Sequence, residues 1–252
     1  MGQITPQNKS VQSLVGLHLY HYGFSNCSQR VRMTLEEKGL GWISHYINLG
    51  NNENFGPDYD GIHPQNLVPT LVHDGKVIIN SNDIIKYIEE MFPDTDIRLI
   101  PALSEEITAV EKWIDRSNAL QDSLRVLTFE YVFKPHRKRL SGMAETHKNH
   151  ELGKFYADFL SEEGLDAEFL SSATDDIQGM LKTLENRLTA NSWLVGEGYS
   201  LADVSLVVNV HRTRKFPESF QSFPAVSAWY DRIAARSSFK SAILDFEGPP
   251  PK

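Results

Sequence analysis

A single cysteine, Cys27, stands among 252 residues, so no intrachain disulfide can form. No Cys/His cluster with zinc spacing exists either, and neither a stapled scaffold nor a structural metal is expected. A reducing, cytoplasmic setting is the simplest reading. Long apolar runs are also missing. None approaches the ~20 residues of a membrane span, so no membrane partner is expected. Basic charge is scarce: 25 Lys and Arg stand against 33 Asp and Glu, a formal net charge of -8. Phosphate backbones need clustered Lys and Arg, which sets nucleic acid aside. There is no internal repeat and no low-complexity tract. The opening MGQITPQNKSVQS lacks the apolar core of a secretory signal, and residues 1–14 are expected to form a flexible leader.

What is present is an ordinary globular balance. Apolar residues make up 40% and charged residues 23%, enough to bury a core without covalent help. The length allows one large domain or two ordinary ones. Leu17–Tyr22 alternates like a strand. After a polar turn, Val31, Leu35 and the stem of Lys38 fall at helical spacing, and Gly39 stands where a left-handed cap is wanted. Residues 42–48 read as a second strand, giving a parallel crossover unit. Residues 50–54 and 63–66 read as loop. Thr70-Leu71-Val72, Asp74-Gly75 and Val77-Ile78-Ile79 predict a hairpin. Ser81 or Asn82 then caps a helix with Ile84, Ile85, Ile88 and Met91 on its apolar face, ended by Pro93.

Beyond this β-α-β-β-β-α run and a linker at 94–104, no strand is expected. Four helical stripes follow: Ile107, Val110, Ile114, Ser117 and Leu124; Ile177, Leu181, Leu184 and Leu188; Leu201, Val204, Val208 and His211; Val226, Trp229, Tyr230 and Ile233. Residues 134–172 are polar and hard to place. The expected fold class is α/β plus all-α, with an α/β domain at 15–93 and a helical domain at 105–252.

Several motifs resemble those of the glutathione transferases. Leu67-Val68-Pro69-Thr70-Leu71, then Asp74-Gly75-Lys76-Val77 and Asn80-Ser81, looks like that family's glutathione-binding core. Trp193-Leu194-Val195-Gly196 and Tyr199-Ser200-Leu201-Ala202-Asp203-Val204 look like its helical-domain capping segment. The turn Phe24-Ser25-Asn26-Cys27-Ser28, followed by Gln29-Arg30-Val31-Arg32, is similar to the bacterial tetrachlorohydroquinone reductive dehalogenase and lignin β-etherase branches. The late segment also resembles the ganglioside-induced differentiation-associated proteins. The resemblance spans roughly residues 17–240. It implies a thioredoxin-like domain that binds glutathione as co-substrate, a helical domain forming the second-substrate pocket, a hydrophobic small molecule as partner, and a homodimer.

The site residues follow motif by motif. The resemblance implies a cis bond at Val68-Pro69; a peptide can pair with the backbone of Val68 as an added strand. Leu67 offers backbone only, where the family usually has Gln or Lys. Asn80 stands where the family usually carries an acid, so it accepts a hydrogen bond without charge. Ser81 opens a helix, where orphan N–H groups attract a carboxylate such as that of the γ-glutamyl group; plain capping would use the same groups.

The turn after the first strand carries the chemistry. A thiol titrates near ~8.5, and lowering that by about two units takes ~2.7 kcal/mol. One hydroxyl donor and a helix N-terminus are of that size. Ser25 falls at the position of the catalytic hydroxyl in serine-type transferases, although turn bonding is the commoner use of such a serine. Cys27, at the S-x-C position of the dehalogenase-like branch, offers a second chemistry, because a helix start favours the nucleophilic thiolate; packing under the turn is its plainer use. Phe24, Trp113, Phe129, Tyr131 and Phe133 are candidates for the hydrophobic pocket and equally for core. His18, His21 and the basic run 134–139 look structural, and Ser200 with Asp203 forms a capping box.

The expected function is therefore attack of a glutathione thiolate on a hydrophobic, aromatic electrophile, including ether or halide cleavage. Two alternatives stand beside it. One is a glutathione-dependent reductase or reductive dehalogenase using Cys27. The other is a transferase-like binding protein without turnover, motivated by Asn80 and Leu67.

Overall fold

A computed structural model describes residues 2–140, 147–217 and 219–248. The parts of the leader, of the 134–172 stretch and of the helical domain that fall on residues 1, 141–146, 218 and 249–252 lie outside the described residues. The chain divides into two compact units. The first holds residues up to 96, together with 138–161 and the segment from 241 onward; the second holds 97–137 and 162–240.

The first unit is a five-stranded sheet flanked by helices. Its elements are β1 (Gln3–Ile4), β2 (Leu17–His21), α1 (Asn26–Glu37), β3 (Ile43–Tyr46), β4 (Thr70–His73), β5 (Lys76–Ile79) and α2 (Ser81–Met91). The strand order is β1-β5-β4-β2-β3. Among the described strands, β2 and β3 run parallel, joined through α1, and the other pairs are antiparallel. The β4–β5 hairpin turns at Asp74 and Gly75, both left-handed at φ 48° and 76°, as the Asp-Gly pair requires. Helix α1 ends as its glycine predicts: Gly39 N–H donates to Glu36 O and Leu40 N–H to Leu35 O. Lys38 of its cap and Glu89 of α2 form a buried ion pair at 2.7 Å.

The leader is not loose over residues 2–14. Gln3 and Ile4 pair with Ile78 and Val77, supplying the ladder partner that β5 otherwise lacks on that edge. Val11 is 1% exposed and packs with Tyr20, Tyr59, Val72 and Val77; Ile4 and Leu14 join the same cluster. Three apolar residues so widely spaced give no periodic signal, so the sequence hides them. Met91 also departs from expectation: at the last position of α2 it is 45% exposed.

The sequence boundaries shift for a similar reason. Helix α5 (His150–Leu160) and residues just before it group with the first unit. His147 meets the Phe55 ring at 5.6 Å, Lys148 pairs with Asp60, and Asn149 donates to Gln65. Residues 241–248 group there too. A helical domain running over the whole of 105–252 is thus not what the contacts give.

The second unit is helical. It holds α3 (Ser104–Ala119), α4 (Gln121–Thr128), α6 (Ala167–Leu188), α7 (Leu201–Thr213) and α8 (Pro224–Ala234). The stripe read as one helix from Ile107 to Leu124 is broken at Leu120, between α3 and α4. Every residue of α7 is buried. Two of its polar members gather partners from other segments: Asn209 donates to Ser117 O and Oγ of α3, both at 3.0 Å. Asp203 accepts from Leu194 N, Ser200 N and Trp229 Nε1 at 3.1, 3.0 and 2.8 Å. Burial raises the Asp203 carboxyl to about 6, against those hydrogen bonds.

Two predictions follow from this packing. Val11→Ala should lower unfolding stability by about 2 kcal/mol, measured by urea denaturation, because it leaves a cavity against β2 and β5. A raised carboxyl contributes stability that is complete below pH 3.8 and is lost as pH rises through about 6. Asp203→Asn cannot titrate, so the stability advantage of the parent over that variant should grow from pH 7 to pH 4, by on the order of 2–3 kcal/mol.

Candidate functional site

Register brings the sequence-predicted residues to one end of the first sheet. Thr70, at the start of β4, pairs with Tyr20 on one side and Ile79 on the other. Tyr20 lies near the end of β2, just before the turn that leads to Ser25. Ile79 ends β5, just before Asn80 and Ser81. Pro69 precedes Thr70 directly. Ser25, Cys27, Leu67, Val68, Pro69, Asn80 and Ser81 therefore all leave the sheet at this end.

The Val68-Pro69 bond is cis. Thr70 is the first residue of the ladder, and among the described residues no hydrogen bond within the chain uses the Val68 N–H or C=O. That leaves one peptide unit at the mouth of β4 able to pair with an extended ligand. The approach to it is rigid. Tyr59 is fully buried, and burial raises its pKa, so its hydroxyl remains a donor. It donates to the Leu67 carbonyl and bonds Thr70 Oγ1 at 2.7 Å. Asn66, left-handed at φ 54°, accepts from Asn54 Nδ2 through its carbonyl at 3.0 Å and donates to Asp60 at 3.1 Å.

Ser25 is the N-cap of α1. Its N–H donates to Tyr22 O at 3.2 Å, and its Oγ accepts from Ser28 N at 3.2 Å. Capping uses a lone pair of Oγ and leaves the O–H to donate elsewhere, so capping and sulfur binding are compatible. Cys27 is the second helical residue, and both Ser25 and Cys27 are half-buried. No acidic residue occupies the first turn of α1, so its positive end is not neutralised locally.

At the neighbouring corner, Asn80 is exposed and holds φ 65°, and Ser81 begins α2 at 6% exposure. Arg30 of α1 joins the two corners. It is fully buried and donates to Ser81 Oγ at 3.3 Å and to Asn82 Oδ1. Burial lowers its pKa, and the nearby Cys27 opposes that. In the sequence Arg30 stands only as part of the motif that follows the turn. The signal for its importance was a charge on a helix that also carries Val31, Met33 and Leu35, all buried.

The expected hydrophobic-pocket residues divide between the two units. Tyr131 lines an open cleft in the second unit, together with Leu127, Ile177 and Phe216. Trp113 is not among its lining residues and lies under the Arg116 guanidinium at 4.8 Å. Phe24 is half-buried at the turn in the first unit. Phe129 is core, against Phe133 at 5.0 Å.

His21 is structural, as expected. It is buried, its Nε2 lies 2.8 Å from Ser44 Oγ and its Nδ1 is 3.0 Å from Arg32 NH1. A guanidinium only donates, so Nδ1 accepts and the ring proton sits on Nε2. Burial, with Arg32 and His45 assisting, lowers its pKa to about 3. The unfolded chain binds this proton below about 6.5, whereas the folded chain does so only near 3. Stability is therefore complete above 6.5 and lost as pH falls towards 3. His21→Gln keeps an acceptor and a donor without titrating. Thermal unfolding of that variant between pH 6.5 and 4 should show a shallower acid loss than the parent.

Comparison with known proteins adds independent information. Residues 24–91 match the glutathione S-transferase N-terminal domain, and residues 151–237 match the glutathione S-transferase C-terminal domain. The chain is 30% identical over 241 residues to the tetrachloro-p-hydroquinone reductive dehalogenase of Sphingobium chlorophenolicum, covering 89% of this chain and 94% of that protein. The crystal structure of the beta-etherase LigF from Sphingobium sp. strain SYK-6 superposes with a TM-score of 0.82 at 24% identity, over 90% of this chain and 98% of that one. A theta class glutathione S-transferase from Xanthomonas axonopodis pv. citri, with glutathione bound, gives 0.71 at 18% identity, over 92% and 98%. At these identities the structural likeness shows the fold.

Proposed function

Because the chain belongs to the glutathione S-transferase family, with glutathione as co-substrate, we propose that it seats the tripeptide along Val68-Pro69 and Ser81 and ionises its thiol at Ser25. The observation that carries this reading is the register at Thr70. It sets the unpaired Val68 peptide, the start of α1 and the start of α2 side by side. The backbone of Val68 pairs with the cysteinyl unit of the ligand, with Leu67 adding only main chain. The N–H groups at Ser81 receive the γ-glutamyl carboxylate, and Asn80 accepts from its ammonium. Those contacts aim the sulfur at the Ser25 hydroxyl, which donates to it beside the positive end of α1.

The thiolate then attacks an electrophilic carbon. A carbon–sulfur bond forms, and the bond to the leaving group breaks with its electron pair, releasing a halide or an oxygen anion that takes up a proton. The electrophile is hydrophobic and aromatic, as the named activities of the similar dehalogenase and etherase suggest. Tyr131, on the cleft of the second unit, is the aromatic side chain assigned to hold it. The working form is a cytoplasmic homodimer.

A second reading has one specific support: Cys27 lies two residues beyond Ser25, half-exposed at the same helix start. There its thiolate would attack the sulfur of a glutathionyl aromatic. A mixed disulfide with glutathione forms, and the aromatic carbon leaves with the electron pair and is protonated.

Single-turnover and steady-state assays on model aromatic electrophiles separate the two. Ser25→Ala should lower kcat/KM by about 10²-fold or more, equal to ~2.7 kcal/mol of thiolate stabilisation, while Cys27→Ala retains turnover. Loss of turnover in Cys27→Ala alone selects the second reading. Calorimetry with glutathione tests the shared premise: absence of binding at millimolar glutathione, with no turnover, leaves only a non-catalytic protein.

A further inference from the structure

The turn that carries Ser25 is held from behind by a buried cation. Arg32 is fully buried, and its hydrogen-bond partners are three carbonyls and one imidazole. Nε donates to Ala242 O at 2.6 Å. One terminal nitrogen reaches His21 Nδ1 at 3.0 Å and Tyr22 O at 3.2 Å, and the other reaches Gly23 O at 2.9 Å. The Phe246 ring lies 4.3 Å from its central carbon. One plane of donors thus joins the C-terminal segment 241–248 to the two residues that begin the turn.

Tyr22 O accepts from Arg32 and also from Ser25 N, at 3.2 Å. A single carbonyl therefore separates the guanidinium from the residue whose hydroxyl is aimed at sulfur. The contact is tight. A Cβ at Gly23 would lie 2.5 Å from Phe246 O and 3.2 Å from Tyr46 OH. The segment is tied down further by Ser241, which donates to Glu36 at 2.8 Å.

The chemistry of this arrangement is informative. Burial lowers the Arg32 pKa, with Tyr46 and Glu36 opposing, and none of its four hydrogen-bond acceptors is a carboxylate. An apolar side chain of similar volume would fill the space without the desolvation of a charge. What a guanidinium adds is a rigid fork that fixes several carbonyls at once.

We propose that Arg32 is a positioning residue for sulfur activation: clamped by Ala242 and Phe246, it fixes the Tyr22–Gly23 carbonyls and so sets where the Ser25 hydroxyl stands. The proposal rests on the reading of Ser25 as the thiolate donor. The C-terminal segment is then a working part of the site.

Arg32→Lys keeps the charge and removes the fork. In the full chain, the ultraviolet absorbance of bound glutathione thiolate against pH gives the titration midpoint, calorimetry gives the glutathione Kd, and thermal unfolding reports the fold. Arg32→Lys should raise the midpoint by about one pH unit, an about tenfold loss of thiolate near neutral pH. The Kd should stay within about threefold. In a Ser25→Ala background the same change should leave the midpoint where Ser25→Ala put it. Gly23→Ala reaches the same contact with Arg32 intact and should move the midpoint in the same direction; it decides the matter where Arg32→Lys does not fold. The proposal fails if folded variants leave the midpoint unmoved while Ser25→Ala moves it, or if Arg32→Lys moves it equally without the serine. If Ser25→Ala itself changes nothing, the reading of Ser25 falls and this proposal with it.

Discussion

Strand β4 is hydrogen-bonded on both sides, and at Thr70 its register with β2 and β5 is fixed in one place. Thr70, Leu71 and Val72 are all fully buried, so a slip of one residue would drive each side chain into the packing of the opposite face, and the register is held by the fit of both faces. Because β4 is antiparallel to both neighbours, its beginning lies beside their ends. Three loops then leave the sheet together, each from a strand that cannot move without the others. The cis peptide, the start of α1 and the start of α2 are arranged by that single constraint.

The loops are shaped by polar groups placed where water is absent. Arg30 and Arg32 are fully buried on one helix, two residues apart in sequence, and they serve different neighbours. Arg30 reaches forward to the opening of α2, and Arg32 reaches back to the turn after β2 and to the C-terminal segment. Tyr59 does similar work for the Leu67 carbonyl. Each such group is costly to bury unless it is hydrogen-bonded, and each is. The second unit uses the same device in Asp203, whose carboxylate gathers the loop at Leu194, the start of α7 and the indole of Trp229. In both units, a buried polar centre fixes the approach of segments distant in sequence.

This division of labour suits the chemistry. Stabilising a thiolate calls for donors already in place, because reorganising them at the moment of ionisation would return the free energy they supply. A serine on a turn is a poor candidate for such rigidity by itself, since loops are the mobile part of most folds. Here the Ser25 hydroxyl caps the following helix, its amide is tied to Tyr22, and Tyr22 is tied to Arg32. The half-buried Cys27 shares the helix start, so the two proposed readings draw on the same turn.

The sequence by itself determined the order of elements, the hairpin at Asp74-Gly75, the caps at Gly39 and Ser200, and the family, since each is written in residues close together along the chain. Local steric and hydrogen-bonding preferences suffice for those. It did not show that Ile4, Val11 and Leu14 join the core, that helix α5 packs with the first unit, or that Arg30 and Arg32 are interior. Those facts depend on partners far away in sequence: Val77 and Ile78, Asp60, Ala242. Only the tertiary structure decided them, because the burial of a charge or of a stray apolar residue is a property of what comes to cover it.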